Sequence, residues 1–311
     1  MTIRQPTDPR SAATPAPTRI GSPIFTWGER TYVMGILNVT PDSFSGDGLI
    51  GGVAADGPAD TVAAAVERAR SMVAAGADLL DIGGESTRPG HVPVDAAEEI
   101  GRVIPVIAAV IEALPNTPIS IDTTKVVVAE AALAAGASLL NDVWGTGPDP
   151  AIAELAASAD VPLVVMHNRE EARYDDVVAE VVADLAAALE RAERAGVAAG
   201  DLIVDTGIGF GKTADHNVEL LRGLAALRVL GRPILLGTSR KSTIGRILGL
   251  PPDQRLEGTL ATTALGIAAG VDIVRVHDVE ANVRAARVSD AIVRGGWHAE
   301  SDLASPEGGR A

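Results

Sequence analysis

Eight short apolar runs recur along this chain of 311 residues, and almost every one ends in a polar residue able to do chemistry. Val33–Val39 leads through Asn38 to Asp42, and Asp78–Asp81 leads into Glu85-Ser86-Thr87-Arg88. Ile119–Asp122, Leu139–Asn141, Leu163–His167 and Leu202–Asp205 follow. Ile234–Gly237 runs into Ser239-Arg240-Lys241, and Ile273–His277 is the last. A closed barrel of eight parallel strands has one working face, at the strand C-termini, where side chains from many strands converge. On that fold, residues scattered through the chain share one site.

The segments between the runs read as helices. Val62, Val66, Ala69 and Val73 keep a 3.6-residue rhythm across Asp60–Ala75, and Gly76 is placed to end it. Helical patterns also cover Ala96–Leu114, Lys125–Ala135, Ala151–Ala157, Asp176–Ala195, Asp215–Leu227, Leu256–Ala269 and Val279–Arg294. Strict alternation of strand and helix implies a parallel sheet, and eight units predict a single (β/α)8 barrel, a TIM barrel, over 23–298. A doubly wound open sheet is the alternative, with its polar endings at a topological switch point. Residues 1–22 and 299–311 lack periodicity and read as disordered tails.

The composition is 47% hydrophobic, enough for a large core. No apolar run nears the roughly 18 residues needed to cross a membrane, and no apolar signal segment opens the chain. No cysteine is present, which excludes disulfides and thiolate metal sites and fits a cytoplasmic protein. A net charge of −15 argues against a nucleic-acid partner.

Gly207–Thr213, Gly-Ile-Gly-Phe-Gly-Lys-Thr, invites a nucleotide-loop reading. A Walker A loop would need Gly at Thr206, and a dinucleotide fingerprint would need Gly at Lys212, so both fail. The glycines would let backbone approach a flat ligand, with Phe210 as an apolar wall.

Asp122, Asn141 and Asp205 end three strands, and Lys241 follows a fourth. Such residues can cap helices. Together they suit a ligand with several in-plane donors and acceptors, such as a pterin or guanine-like ring. Arg275 and His277 share one face of the last strand and suit a phosphate oxyanion. A salt bridge from Arg275 to an internal acid is the other reading of that pair.

These segments resemble the dihydropteroate synthases, the folate-pathway members of the pterin-binding enzymes. The resemblance lies in MGILNVTPDSFS, DIGGESTRPG, SIDTTK, NDVWG, VMH, GFGKT followed by HN, GTSRKS and RVHDV, spanning Met34 to Val279. It implies a transferase that joins 6-hydroxymethyl-7,8-dihydropterin diphosphate to 4-aminobenzoate, releasing pyrophosphate. By resemblance, Asp122, Asn141, Asp205, Phe210 and Lys241 bind the pterin. Asn38, Thr87, Arg88, Arg275 and His277 meet the pyrophosphate, with Asn38 also holding Mg2+. Phe44, Pro89, Phe210, Ser239 and the Lys241 stem shape the aminobenzoate site. Asp122, Asp205, Lys241, Arg275 and His277 are the expected catalytic set. The resemblance also implies a homodimer, with Val279–Arg294 as a candidate interface, and sulfonamides as inhibitors. The chain departs from the family pattern at Thr206, where Pro is usual, at Ile208, and in the short segment after His167. Rival readings are a methyltetrahydrofolate-binding methyltransferase, a Schiff-base aldolase using Lys125 or Lys241, and a non-catalytic pterin-binding paralogue.

Overall fold

The structure, a computed structural model, describes residues 14–40, 58–85, 94–145, 147 and 149–295. β1 (Thr18–Arg19) and β2 (Ile24–Phe25) form a small antiparallel hairpin. β3 (Tyr32–Asn38), β4 (Leu79–Gly83), β5 (Ile119–Asp122), β6 (Leu139–Asp142), β7 (Leu163–Met166), β8 (Leu202–Asp205), β9 (Ile234–Leu236) and β10 (Ile273–Val276) pair in parallel, and β10 returns to β3 to close the barrel. Closure leaves the barrel itself without an edge strand. The open-sheet alternative is thereby excluded.

Helices pack outside: α1 (Pro58–Ala74), α2 (Ala96–Ala113), α3 (Val126–Ala134), α4 (Ala151–Ala159), α5 (Val177–Arg194), α6 (Ala214–Arg222), α7 (Ser242–Leu248), α8 (Leu256–Ala269) and α9 (Val279–Val293). Gly76, Gly136 and Gly270 take positive φ where α1, α3 and α8 turn into strands, a conformation that costs glycine least. Two elements differ from the sequence reading. The helix expected over Asp215–Leu227 stops at Arg222 and continues as a 3-10 turn over Leu224–Leu230. The loop after β9 holds α7, too short to show a periodic signal. Among the described residues, no helix is long and apolar enough to cross a membrane.

Two apolar layers divide the core. One lies between strands and helices; the other fills the barrel interior. The interior layer contains Met34, Leu79, Leu139, Val164, Ile203, Leu235 and Ile273. Strand side chains alternate, so the next inward residue lies two positions on. For four of these strands it is Asp81, Asn141, Asp205 or Arg275. The barrel is thus apolar at its N-terminal half and polar one pleat higher.

The hairpin corrects the reading of 1–22 as tail over its described part, and residues 1–13 lie outside the described residues. Ile20, Phe25 and Trp27 are buried in the interior layer beneath Tyr32, and Trp27 Nε1 donates to Thr18 Oγ1 at 3.0 Å. A two-residue strand carries too little pattern to show in sequence. Trp27→Ala should cost about 3–5 kcal/mol of stability, as large-to-small core changes do. Chemical denaturation would measure the loss. Turnover at permissive temperature should stay unchanged, because this plug closes the end of the barrel opposite the polar ring.

Candidate active site

The polar ring is held together by one half-buried cation. Arg275, on β10, donates through Nε to Asp81 Oδ2 at 2.5 Å and through a terminal nitrogen to Asp122 Oδ2 at 2.6 Å. Asn141 Nδ2 turns toward the same Asp81 carboxylate, at 3.3 Å. Asp122 and Asn141 are direct partners in the β5–β6 register, so their side chains stand abreast. Asp122 Oδ1 and Asn141 Oδ1 are both buried and have no hydrogen-bond partner among the described residues. Unpaired buried acceptors cost free energy unless a ligand supplies donors.

Burial pushes the Asp122 carboxyl up to about 7; Arg275 opposes this and the Asp81 charge adds to it. Burial also raises Asp205, against the Gly207 amide, which donates to its Oδ1 at 2.7 Å, and against Lys241. Burial works against the charged Arg275, but Asp81 and Asp122 outweigh it and hold its pKa above the ordinary value. The helix-capping reading therefore does not hold. Lys125 stands at the N-cap of α3 and Thr213 caps α6, while Asp122 and Asp205 face the mouth. The internal salt bridge weighed for Arg275 is present.

Around this ring the loops bring further side chains. Lys241 Nζ lies 4.1 Å from the centre of the Phe210 ring, a cation–π contact. Ser239 Oγ is 2.9 Å from His277 Nδ1, joining the loop after β9 to the end of β10. Between them Arg240 takes a left-handed backbone, φ +57°. Strain of that kind persists only where surroundings over-determine it. Here Asp278 grips the Arg240 guanidinium at 2.7 and 3.0 Å, and Thr259 Oγ1 accepts from its amide. Asn38 ends β3 opposite Gly83 in register. Phe44, Thr87, Arg88 and Pro89 lie outside the described residues.

The Gly207–Gly211 loop corrects one expectation. Its glycines all have positive φ, but they serve packing against protein. A Cβ on Gly207 would fall 1.8 Å from the His167 carbonyl, and one on Gly211 2.3 Å from that of Arg169. On Gly209 it would press the Lys241 stem. The loop packs against the segment after β7, and Phe210 stays half-buried with the Lys241 ammonium over its ring. Ile208, a departure from the family pattern, is buried in the outer core layer.

Sequence reasoning passed over Asp81. With β4 ending there, it looked like a strand terminus; the strand in fact runs on to Gly83. A charge inside an apolar run, Leu79-Leu80-Asp81-Ile82-Gly83, was the available signal. Lys125 does not suit Schiff-base chemistry. Burial lowers its pKa, but ion pairs with Glu85 and Glu99 outweigh that and raise it, whereas such a lysine needs a depressed value.

A family model for pterin binding enzymes matches residues 34–277. The chain is 49% identical to the dihydropteroate synthase of Clostridium beijerinckii over 277 residues, covering 89% of this chain and 99% of that one. This chain belongs to the dihydropteroate synthases. The structure of the Clostridium difficile dihydropteroate synthase in the presence of pteroic acid superposes with a TM-score of 0.81 at 49% identity, covering 87% of this chain and 99% of that chain. That of the Xanthomonas albilineans enzyme with 4-aminobenzoic acid gives 0.81 at 44%, covering 90% and 98%. The activity of this barrel is therefore the dihydropteroate synthase condensation, and the methyltransferase and aldolase alternatives fall away.

Proposed function

We propose that the pterin ring of the diphosphate substrate lies in the barrel mouth against Asp122, Asn141, Asp205 and Lys241, with Phe210 at its side. The observation that carries this assignment is the adjacent pair of buried, unpartnered oxygens, Asp122 Oδ1 and Asn141 Oδ1. An amino-heterocycle offers N–H donors in one plane, and two acceptors abreast on neighbouring strands match them. Asn38 and His277, at the rim, meet the diphosphate, with Arg275 beneath them. Thr87 and Arg88 complete that set in this reading. Ser239, the Lys241 stem, Phe44 and Pro89 shape the aminobenzoate pocket.

The C–O bond to diphosphate breaks first and leaves a cation delocalised over the dihydropterin. The ionised carboxylates of Asp122 and Asp205 stabilise that cation in a site shielded from water. The aromatic amine then attacks the exocyclic methylene and loses a proton. No covalent bond to the enzyme forms.

Asn38 suits a hard cation, since it offers a neutral oxygen at the rim across from a glycine. Among the described residues, no group of three or more His, Asp or Glu could hold an ion alone, so the substrate diphosphate would bring most of the ligands. Mg2+ bound there would neutralise charge on the departing pyrophosphate. The test is 7,8-dihydropteroate formation that requires Mg2+ and that a sulfonamide inhibits competitively with 4-aminobenzoate. An undiminished rate with Mg2+ chelated would reject the role given to the metal.

The reading extends to a homodimer. Leu265 on α8 and Val288 and Ile292 on α9 are large apolar side chains left exposed on adjacent helices. Faces of this kind mark association surfaces. Ile292→Asp should convert a dimer to a monomer in sedimentation analysis; an unchanged sedimentation coefficient would move the interface elsewhere.

A further inference from the structure

Lys212, from the motif that failed as a nucleotide loop, is half-buried and spends its donors on protein. Its ammonium is 2.7 Å from His167 Nδ1, 2.9 Å from the Gly207 carbonyl and 3.1 Å from the Phe210 carbonyl. On the far side of the ring, His167 Nε2 lies 3.0 Å from Asp184 Oδ2 on α5. That network sets the tautomer: Nε2 carries the proton and Nδ1 accepts. Asp184 is itself braced by Arg169 Nε at 2.7 Å. The loop that Lys212 grips has little regular structure of its own, with one internal backbone bond, Phe210 to Gly207. Yet it presents Phe210 to the Lys241 ammonium, and Gly209 backs the Lys241 stem.

We propose that Lys212, as an ammonium held by His167 and Asp184, is a positioning residue that fixes the Gly207–Gly211 loop and thereby sets Phe210 and Lys241 for pterin. The proposal rests on the assignment of Phe210 and Lys241 to the pterin site. The groups facing this ammonium are His167 and Arg169 after β7, Asp184 on α5, Asp205 on β8 and Lys241 after β9. Burial drives the Lys212 pKa down to about 7; Asp205 and Asp184 raise it while Arg169 and Lys241 lower it. Burial and the Lys212 charge together hold His167 down at about 4, so His167 stays a neutral acceptor at working pH. The clamp is complete below about pH 7 and loosens above it.

The test compares wild type, Lys212→Met, His167→Asn and His167→Leu in steady-state kinetics between pH 6 and 9. Asn can present an oxygen where Nδ1 stood; Leu cannot. Losing hydrogen bonds to a charged group should raise KM for pterin diphosphate about tenfold in Lys212→Met and His167→Leu, with kcat moving less. His167→Asn should recover most of the loss. Wild-type KM should rise as pH passes upward through about 7, and Lys212→Met should have a high KM without that rise. Equal pH dependence of KM in wild type and Lys212→Met overturns the proposal, as does failure of Asn to outperform Leu. Wild type that turns over normally while these variants keep its KM defeats Lys212 alone. Lys241→Met with wild-type KM for pterin diphosphate defeats the site assignment itself.

Discussion

Asp122→Asn is expected to lower kcat by about 10³ while changing pterin affinity far less. The amide keeps the shape of the carboxylate and an oxygen acceptor; what disappears is the negative charge. Unit charges roughly 4 Å apart interact by about 4 kcal/mol at an effective dielectric near 20. An interaction of that size realised only in the transition state corresponds to on the order of 10³ in rate. The ground-state pterin is neutral and loses little. Single-turnover pyrophosphate release would give the rate, and calorimetry with 7,8-dihydropteroate the affinity. Equal losses in both would show that Asp122 only binds.

The same residue sets the acid side of the pH profile. Burial holds the Asp122 carboxyl at about 7 in the free protein, with Arg275 pulling against it and Asp81 pushing with it. Only the ionised form stabilises a cation, so kcat should climb as pH rises through about 7, apart from the KM rise that loss of the Lys212 ammonium causes. The Asn variant should lack this ascending limb. A limb of unchanged midpoint in the variant would assign the titration to another group.

Much of the barrel was legible because each strand repeats one physical pattern. Ile203-Val204-Asp205 and Ile273-Val274-Arg275 each place an inward apolar residue two positions before an inward polar one, and period two makes that visible in one dimension. Glycine after an Ala-rich helix, as at Gly76 and Gly136, marked the helix ends through the left-handed turn it permits. Other features depend on contacts between distant segments. The hairpin of Thr18–Arg19 with Ile24–Phe25 gains its stability from the barrel interior above it, so nothing local announces it. Asp81 and Arg275 are 194 positions apart, and only closure of the barrel makes them neighbours. The roles of Gly207 and Gly211 were misread for the same reason. Positive φ was inferable, but the backbone pressing on them belongs to the segment after β7.

Breaking the Asp81–Arg275 pair should cost as much stability as Trp27→Ala. Asp81 is fully buried, and Arg275 is its ionic partner and that of Asp122. Arg275→Met should destabilise the fold by about 3–5 kcal/mol at neutral pH, because it strands carboxylates from which water is excluded. The direction with pH follows from Asp122. Its pKa, already raised by burial, rises further when the opposing Arg275 is removed, so the folded variant binds protons that the unfolded chain releases. Stability of Arg275→Met relative to wild type should therefore improve as pH falls from 7 toward 5. Urea denaturation across that range measures it, and a deficit that grows on acidification would contradict the account. Adding Asp81→Asn to Arg275→Met removes one stranded charge together with the cation. The double variant should then be more stable than Arg275→Met alone, since most of the cost is the uncompensated carboxylate and not the lost attraction. If the second change adds a further loss, the attraction itself dominates and the polar ring stabilises the barrel as well as serving its chemistry.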